Sequence, residues 1–244
     1  MKETLLRLER ASLAFGSTEV LRELSLEVKR GEFVAVVGPS GCGKTTLLSL
    51  CSGFLRPLSG VVQRSGSLRM VFQQDGLFPW LTVAENIRLG LRHLKDEAGR
   101  GRRAEALIAL IGLAEFAGHY PHQLSGGMRQ RVELCRAIGG DTDLLLLDEP
   151  FSSLDYLTRL RMRAELARLL HEQPRTVVLV THDIEEAAQL ADRVLVLSDR
   201  PTRIRDEVRL VAPRPRQPTS AEVVGAVHRI LAGFGLESEV EELA

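Results

Sequence analysis

The stretch GPSGCGKTT, residues 38–46, directly follows the apolar run FVAVV, residues 33–37. Within it Gly38, Gly43, Lys44 and Thr45 satisfy G-x-x-x-x-G-K-[ST], the pattern of a loop that wraps nucleotide phosphates between a buried strand and a helix. Glycines let the backbone turn tightly, so that successive N–H groups converge on one anion, and a helix starting near Lys44 adds the positive end of its dipole. Lys44 is then placed to bridge the β and γ phosphates, the Thr45 hydroxyl to ligate Mg²⁺, and Thr46 to reach the α phosphate. Many kinases, GTPases and motor ATPases share such a loop, so it does not by itself name a function.

On the amino-terminal side, residues 4–28 read as two strands around a turn at 16–18. Phe15, just before that turn, is either an adenine-stacking aromatic or a strand residue in the core. On the carboxyl-terminal side, residues 54–62 turn into a short strand, and residues 68–72 form another that delivers Gln73 and Gln74 at its carboxyl end, where ligand groups gather in an open α/β sheet. Thr82 and Glu85 have capping-box spacing and predict a helix from Val83. From there to about Gly140 the chain holds helix formers and no strand-like run. Within this insertion Arg100 to Arg103 read as a basic, solvated turn. The segment LFPWL, residues 77–81, holds the single tryptophan, Trp80, and is either a core plug or a surface that docks a partner.

The sequence HQLSGGMRQ, residues 122–130, places Ser125 as an N-cap with Gly126 and Gly127 in the first turn of a helix to about Ile138. This is a second backbone turn suited to phosphate. Residues 144–147 form a short buried strand ending in Asp148 and Glu149: the first carboxylate suits Mg²⁺ ligation, and the second suits holding a water for attack. A helix follows over 156–171. The buried strand 176–180 places His182 at its carboxyl end, ahead of the capping pair Asp183 and Glu186. Strands at 193–197 and 203–210 follow. The proline-rich stretch 213–220 is expected to be extended, and Val223, Val227, Ile230 or Leu231, and Phe234 recur at helical spacing, as in a helix packed on the body of the domain.

With 244 residues, 44% hydrophobic residues and mean hydropathy near zero, the composition is that of a soluble globular protein with a sizeable core. Lysine plus arginine equals aspartate plus glutamate, 32 each, so no global positive field draws the chain to nucleic acid. The apolar runs are too short to span a bilayer, and residues 1–10 lack the pattern of a secretion signal. Three cysteines, Cys42, Cys51 and Cys135, have no metal-ligand spacing and fit a reducing cytoplasm.

Taken in order, GPSGCGKT, Gln73, LSGGMRQR, LLLLDEP, SSLD and His182 resemble the ATP-binding cassette (ABC) ATPase family over almost the whole chain. The resemblance implies an α/β fold: a P-loop NTPase core with an antiparallel β subdomain and an inserted α-helical subdomain. The cassette is expected over 1–212, with the helical subdomain at about 74–140, a linker at 213–220 and a carboxyl-terminal amphipathic helix at 221–244. It further implies a head-to-tail homodimer in which each ATP lies between one subunit's phosphate loop and the other's Ser125, Gly126 and Gly127. Pro39, Ser40, Gly41 and Cys42 complete the phosphate cradle with Gly38, Gly43, Lys44, Thr45 and Thr46, and Phe15 stacks on adenine. Glu149 positions or deprotonates the attacking water, Thr45, Asp148 and Gln73 hold Mg²⁺, His182 contacts the γ phosphate, and Asp155 links the two sites. Met128 stands where the commonest signature has Gln. LFPWLTVAENI and the ending DRVLVLSDRPTRI are similar to the nitrate, sulfonate and taurine importer branch. In that branch a peripheral subunit at the cytoplasmic face drives a transmembrane permease and, indirectly, a solute-binding protein. Another importer class, or a soluble non-transport ABC ATPase, is the alternative.

Overall fold

The computed structural model describes residues 2–72, 76–172 and 174–236. The strands β1 (Thr4–Phe15) and β2 (Thr18–Lys29) form an antiparallel hairpin. Its turn uses Gly16 at φ 58°, a left-handed conformation that glycine adopts without a Cβ penalty. Alternation along β1 and β2 buries Leu6, Leu8, Leu24 and Leu26 and exposes Arg7 and Ser25 between them. Where the register breaks, hydroxyls satisfy the loosened amides: Ser25 Oγ accepts from Arg10 N at 3.0 Å and Ser12 Oγ from Glu23 N at 2.9 Å.

The strand β3 (Phe33–Val37) is buried throughout and feeds the phosphate loop and α1 (Lys44–Ser52). The chain then makes β4 (Ser59–Arg64), which pairs with the other edge of β1, and β5 (Leu68–Val71). Three helices follow: α2 (Val83–Gly90), α3 (Glu97–Leu110) and α4 (Gly126–Gly139), with two short 3₁₀ turns between the last two. Next come β6 (Leu144–Asp148), α5 (Tyr156–Glu172), β7 (Thr176–Val180), α6 (Ile184–Leu190), β8 (Arg193–Leu197), β9 (Ile204–Arg209) and α7 (Ala221–Phe234).

The sheets are a three-stranded antiparallel one, β2-β1-β4, and a six-stranded one, β5-β6-β7-β3-β8-β9, in which only β9 runs antiparallel to its neighbour. Because successive side chains leave a strand on opposite faces, the fully apolar strands supply two cores. Val34, Val36, Leu146 and Val178 face α1 and the antiparallel sheet. Phe33, Ala35, Leu147 and Leu179 face the opposite side, in one core with the inserted helices. This arrangement brings the carboxyl ends of five parallel strands to one edge.

Three local expectations differ from the structure. Residues 100–103 lie inside α3 rather than in a turn. Asp96 caps that helix by accepting from Ala98 N and Gly99 N, and Arg100 pairs with Glu97 and donates to Leu94 O, which offsets the weak helix propensity of Gly99 and Gly101. The strand from Leu68 ends at Val71, one residue early. The proline-rich stretch is bent and strapped down: Arg214 donates to Leu190 O at 3.0 Å, pairs with Asp192 and stacks 5.3 Å from the Phe33 ring centroid. Arg216 donates to Ala191 O at 2.7 Å, so two cations cover carbonyls just past the end of α6. Beyond the strap, α7 buries Val223, Ala226 and Ile230 against the body of the domain. Residues 237–244 of the expected terminal helix lie outside the described residues. Among the described residues, no helix is long and apolar enough to cross a membrane.

Candidate active site

The phosphate loop owes its shape to crowding behind it. Gly43 has φ 112°, and a Cβ there would lie 2.7 Å from Val20 Cγ1, so both backbone and space demand glycine. Having no side chain, Gly43 leaves the start of α1 without a side-chain cap, and the first N–H groups are free to face an anion. Lys44 is buried and its Nζ donates to Gly38 O and Pro39 O, both at 2.8 Å, which holds the charge beneath the loop. Ser40 and Gly41 lie exposed above it.

Across from the loop, Thr45 Oγ1 donates to Asp148 Oδ1 at 3.2 Å. Asp148 ends β6 and is almost fully buried; burial pushes its carboxyl up, the Thr45 bond pulls it down, and Glu149 raises it again. A hydroxyl and a buried carboxylate are hard oxygen donors. They fit Mg²⁺, which one or two carboxylates hold together with substrate phosphates rather than a closed protein cage.

Glu149 has φ 46°, a conformation that costs a non-glycine residue about 1–3 kcal/mol. Neighbours hold it there: its N–H donates to Val180 O at 2.9 Å, and its carbonyl accepts from Gln130 Nε2 and Ser152 Oγ, each at 3.0 Å. Gln130 comes from α4 and its carbonyl oxygen also accepts from Ser153 N at 3.1 Å, so one buried amide ties the inserted helices to the acidic loop. His182 follows β7 and sets Nδ1 3.3 Å from Glu149 Oε2.

Ser40, Gly41, Gly43, Lys44, Thr45, Thr46, Glu149, His182 and Arg200 line one cavity of about 610 Å³. Ser125, Gly126, Gly127, Asp155 and Phe15 are not among its lining residues. Ser125 caps α4, accepting from Met128 N at 3.3 Å, and it and Gly126 are exposed. Gly127 packs so closely on residues 153–154 that a Cβ would meet Ser153 O at 3.2 Å. The Thr158 hydroxyl, and its N–H donating at 3.0 Å, hold the Asp155 carboxyl below the usual range. Phe15 is 54% exposed at the end of β1, not a core residue. Gln73 lies outside the described residues. Within one chain the second glycine turn therefore does not join the first.

Two residues in or behind the cavity escaped the sequence reading. Gln130 belongs to the pattern HQLSGGMRQ, and nothing local marks its amide as the partner of a carbonyl 19 positions away. Arg200 follows the carboxyl end of β8, and that position was its only signal. A third group, a buried cluster, backs His182: Arg163 of α5 bonds to Asp183 and lies 3.3 Å from Glu186, and Thr181 Oγ1 donates to Glu186 at 3.3 Å. Burial pushes the Glu186 carboxyl up to about 8 despite the opposing Arg163 charge.

A phosphate loop at the carboxyl edge of a parallel sheet, with acids after the neighbouring strand, defines a P-loop nucleotide triphosphatase. The ABC transporter family profile matches residues 21–152. The aliphatic sulfonates import ATP-binding protein SsuB 1 of Rhodococcus jostii is 45% identical over 226 residues, covering 90% of this chain and 89% of that protein. The taurine import ATP-binding protein TauB of Pelagibacter ubique is 43% identical over 203 residues, covering 80% and 77%. Among solved structures, the dimeric post-hydrolysis state of the ATP-binding cassette MJ0796, bound to ADP and Pi, superposes with a TM-score of 0.74 at 32% identity, covering 85% of this chain and all of that one. The chain belongs to the ABC transporter family, as its ATP-binding cassette.

Proposed function

We propose that this chain is the ATP-hydrolysing, energy-coupling subunit of a membrane importer for sulfonates, taurine, nitrate or a related small solute. The observation that carries the catalytic part is the meeting of Lys44, Thr45, Glu149 and His182 in one cavity, although they come from three separate strand ends. In this reading Lys44 and the loop amides bind the phosphates, Glu149 orients or deprotonates the attacking water, and His182 contacts the γ phosphate while touching Glu149. Thr45, Asp148 and Gln73 would hold Mg²⁺, which neutralises phosphate charge when bound.

The separation of Ser125, Gly126 and Gly127 from the cavity supports a head-to-tail pair of cassettes, each closing its glycine turn over the other's nucleotide, with Asp155 at the seam. Phe15 supplies an exposed ring for adenine. In this reading the permease docks in the groove of about 650 Å³ lined by Phe78, Trp80, Leu81, Leu89, Arg92 and His93, at the cytoplasmic face of the membrane. The solute-binding protein acts through that permease.

The test is uptake of labelled taurine, alkanesulfonate and nitrate into proteoliposomes holding this chain with its permease and binding protein. ATP-dependent uptake of one of them, abolished by Lys44→Ala, is expected. ATP hydrolysis that none of these solutes stimulates would overturn the assignment of substrate class.

A further inference from the structure

The cavity beside the phosphate loop contains a cation to which none of the family-like motifs assigns a role, although Arg200 lies within the stretch DRVLVLSDRPTRI. Arg200 lies in the turn after β8, the strand that pairs with β3 on the side away from β7. It lines the same cavity as Gly41, Lys44, Glu149 and His182. A Cβ placed on Gly41 would sit 4.0 Å from an Arg200 guanidinium nitrogen, which puts the guanidinium beside the exposed wall of the loop. Arg200 is exposed, and among the described residues it has neither a hydrogen-bond nor an ion-pair partner. Arg163, Arg193 and Arg214, by contrast, each meet a carboxylate.

The turn is fastened to the loop it overhangs. Thr202, two residues on, is fully buried, and its hydroxyl donates to Cys42 O within the phosphate loop. Its N–H donates to Val20 O at 2.8 Å and its carbonyl accepts from Arg22 N at 3.0 Å. At the other end Ser198 Oγ accepts from Arg203 N at 3.0 Å. Arg200 is thus carried on a base that is tied to the phosphate cradle itself, and only its own side chain remains to be ordered on binding.

We propose that Arg200 is a nucleotide-contacting residue whose guanidinium binds the polyphosphate of ATP from the outer side of the loop, while Lys44 binds it from within. The chemistry favours arginine here. A planar fork can bond two phosphate oxygens at once, whereas Lys44, anchored on two carbonyls, acts as a point charge. Cavity position places the contact at the phosphate end: the adenine candidate Phe15 is not among its walls.

This rests on reading the cavity as the ATP site, so the experiment separates the two claims. Competition of a fluorescent ATP analogue by ATP, ADP and AMP is measured on the wild type, Arg200→Ala, Arg200→Lys and Lys44→Ala, with thermal unfolding of each. Arg200→Ala is expected to weaken ATP binding about tenfold, the scale of one charge-assisted hydrogen-bonded contact at an exposed site. ADP should be weakened less and AMP not at all, and Arg200→Lys should recover part of the loss. Unchanged ATP affinity in Arg200→Ala, with loss in Lys44→Ala, overturns the role of Arg200 and leaves the site standing. Unchanged affinity in both overturns the site and the role together. Equal weakening of ATP and AMP in a folded Arg200→Ala protein also overturns the phosphate contact.

Discussion

His182 Nδ1 and Glu149 Oε2 lie 3.3 Å apart although the two residues follow different strands. The pairing depends on backbone rather than on sequence proximity. Adjacent parallel strands β6 and β7 end level, with Asp148 opposite Val180, and the left-handed turn at Glu149 then places its side chain beside the histidine.

Replacing Glu149 by Gln keeps the shape and removes the proposed base. Hydrolysis should fall by about 10²-fold or more, while ATP binding persists and the protein elutes as an ATP-held dimer on size-exclusion chromatography. Wild-type turnover in Glu149→Gln would show that the water is activated by another group.

Gln130→Ala tests whether the inserted helices hold Glu149 in place. Loss of the amide leaves Ser153 N without its acceptor and Glu149 O with its Ser152 bonds, costing about 1–3 kcal/mol of stability. If Glu149 is the proposed base, its misplacement should lower kcat by roughly 10-fold to 100-fold with little change in KM for ATP. A folded variant with normal kcat would mean that Val180 and Ser152 suffice to aim the carboxylate.

The buried Glu186 makes stability depend on pH. Its carboxyl is raised from 4.5 to about 8, so between those values the folded chain holds a proton that the unfolded chain has lost. The stabilising contribution is therefore full below pH 4.5, declines as pH rises by up to about 1.4 kcal/mol per unit, and is gone above pH 8. Glu186→Gln cannot ionise. Urea unfolding at pH 6, 7 and 8 should show a flatter profile for the variant and a stability above wild type at pH 8; parallel profiles would assign the proton to another group.

Trp80 is 69% exposed and its ring stands against Phe78, centroids 5.4 Å apart, so it is a surface residue rather than a core plug. Trp80→Asp should change unfolding free energy by no more than about 0.5 kcal/mol. Co-purification with the permease should nevertheless weaken, and intact association would move the docking site elsewhere.

Much of this molecule is legible along the chain because its signals are local. Five apolar residues before GPSGCGKTT force a buried strand, Thr82 and Glu85 cap a helix through their own side chains, and Asp148 stands at the end of an all-apolar run. The misreading at Arg100 to Arg103 arose because glycine and charge lower helix propensity locally, while the Asp96 cap and the packing of Ala104, Leu107 and Ile108 outweigh it.

The phosphate loop, the order of strands and helices, and the candidate acids and histidine can all be read along the chain. Each of these rests on contacts within a few residues or on a side-chain period. Chain order is silent on three relationships that folding creates: Gln130 grips Glu149, Arg214 and Arg216 bind the proline-rich stretch to the core, and Arg200 joins Lys44 at one cavity. Those partners lie far apart in the chain, and the physical reason they meet is the sheet: strands distant in sequence become neighbours by hydrogen bonding, and their carboxyl ends then share one edge.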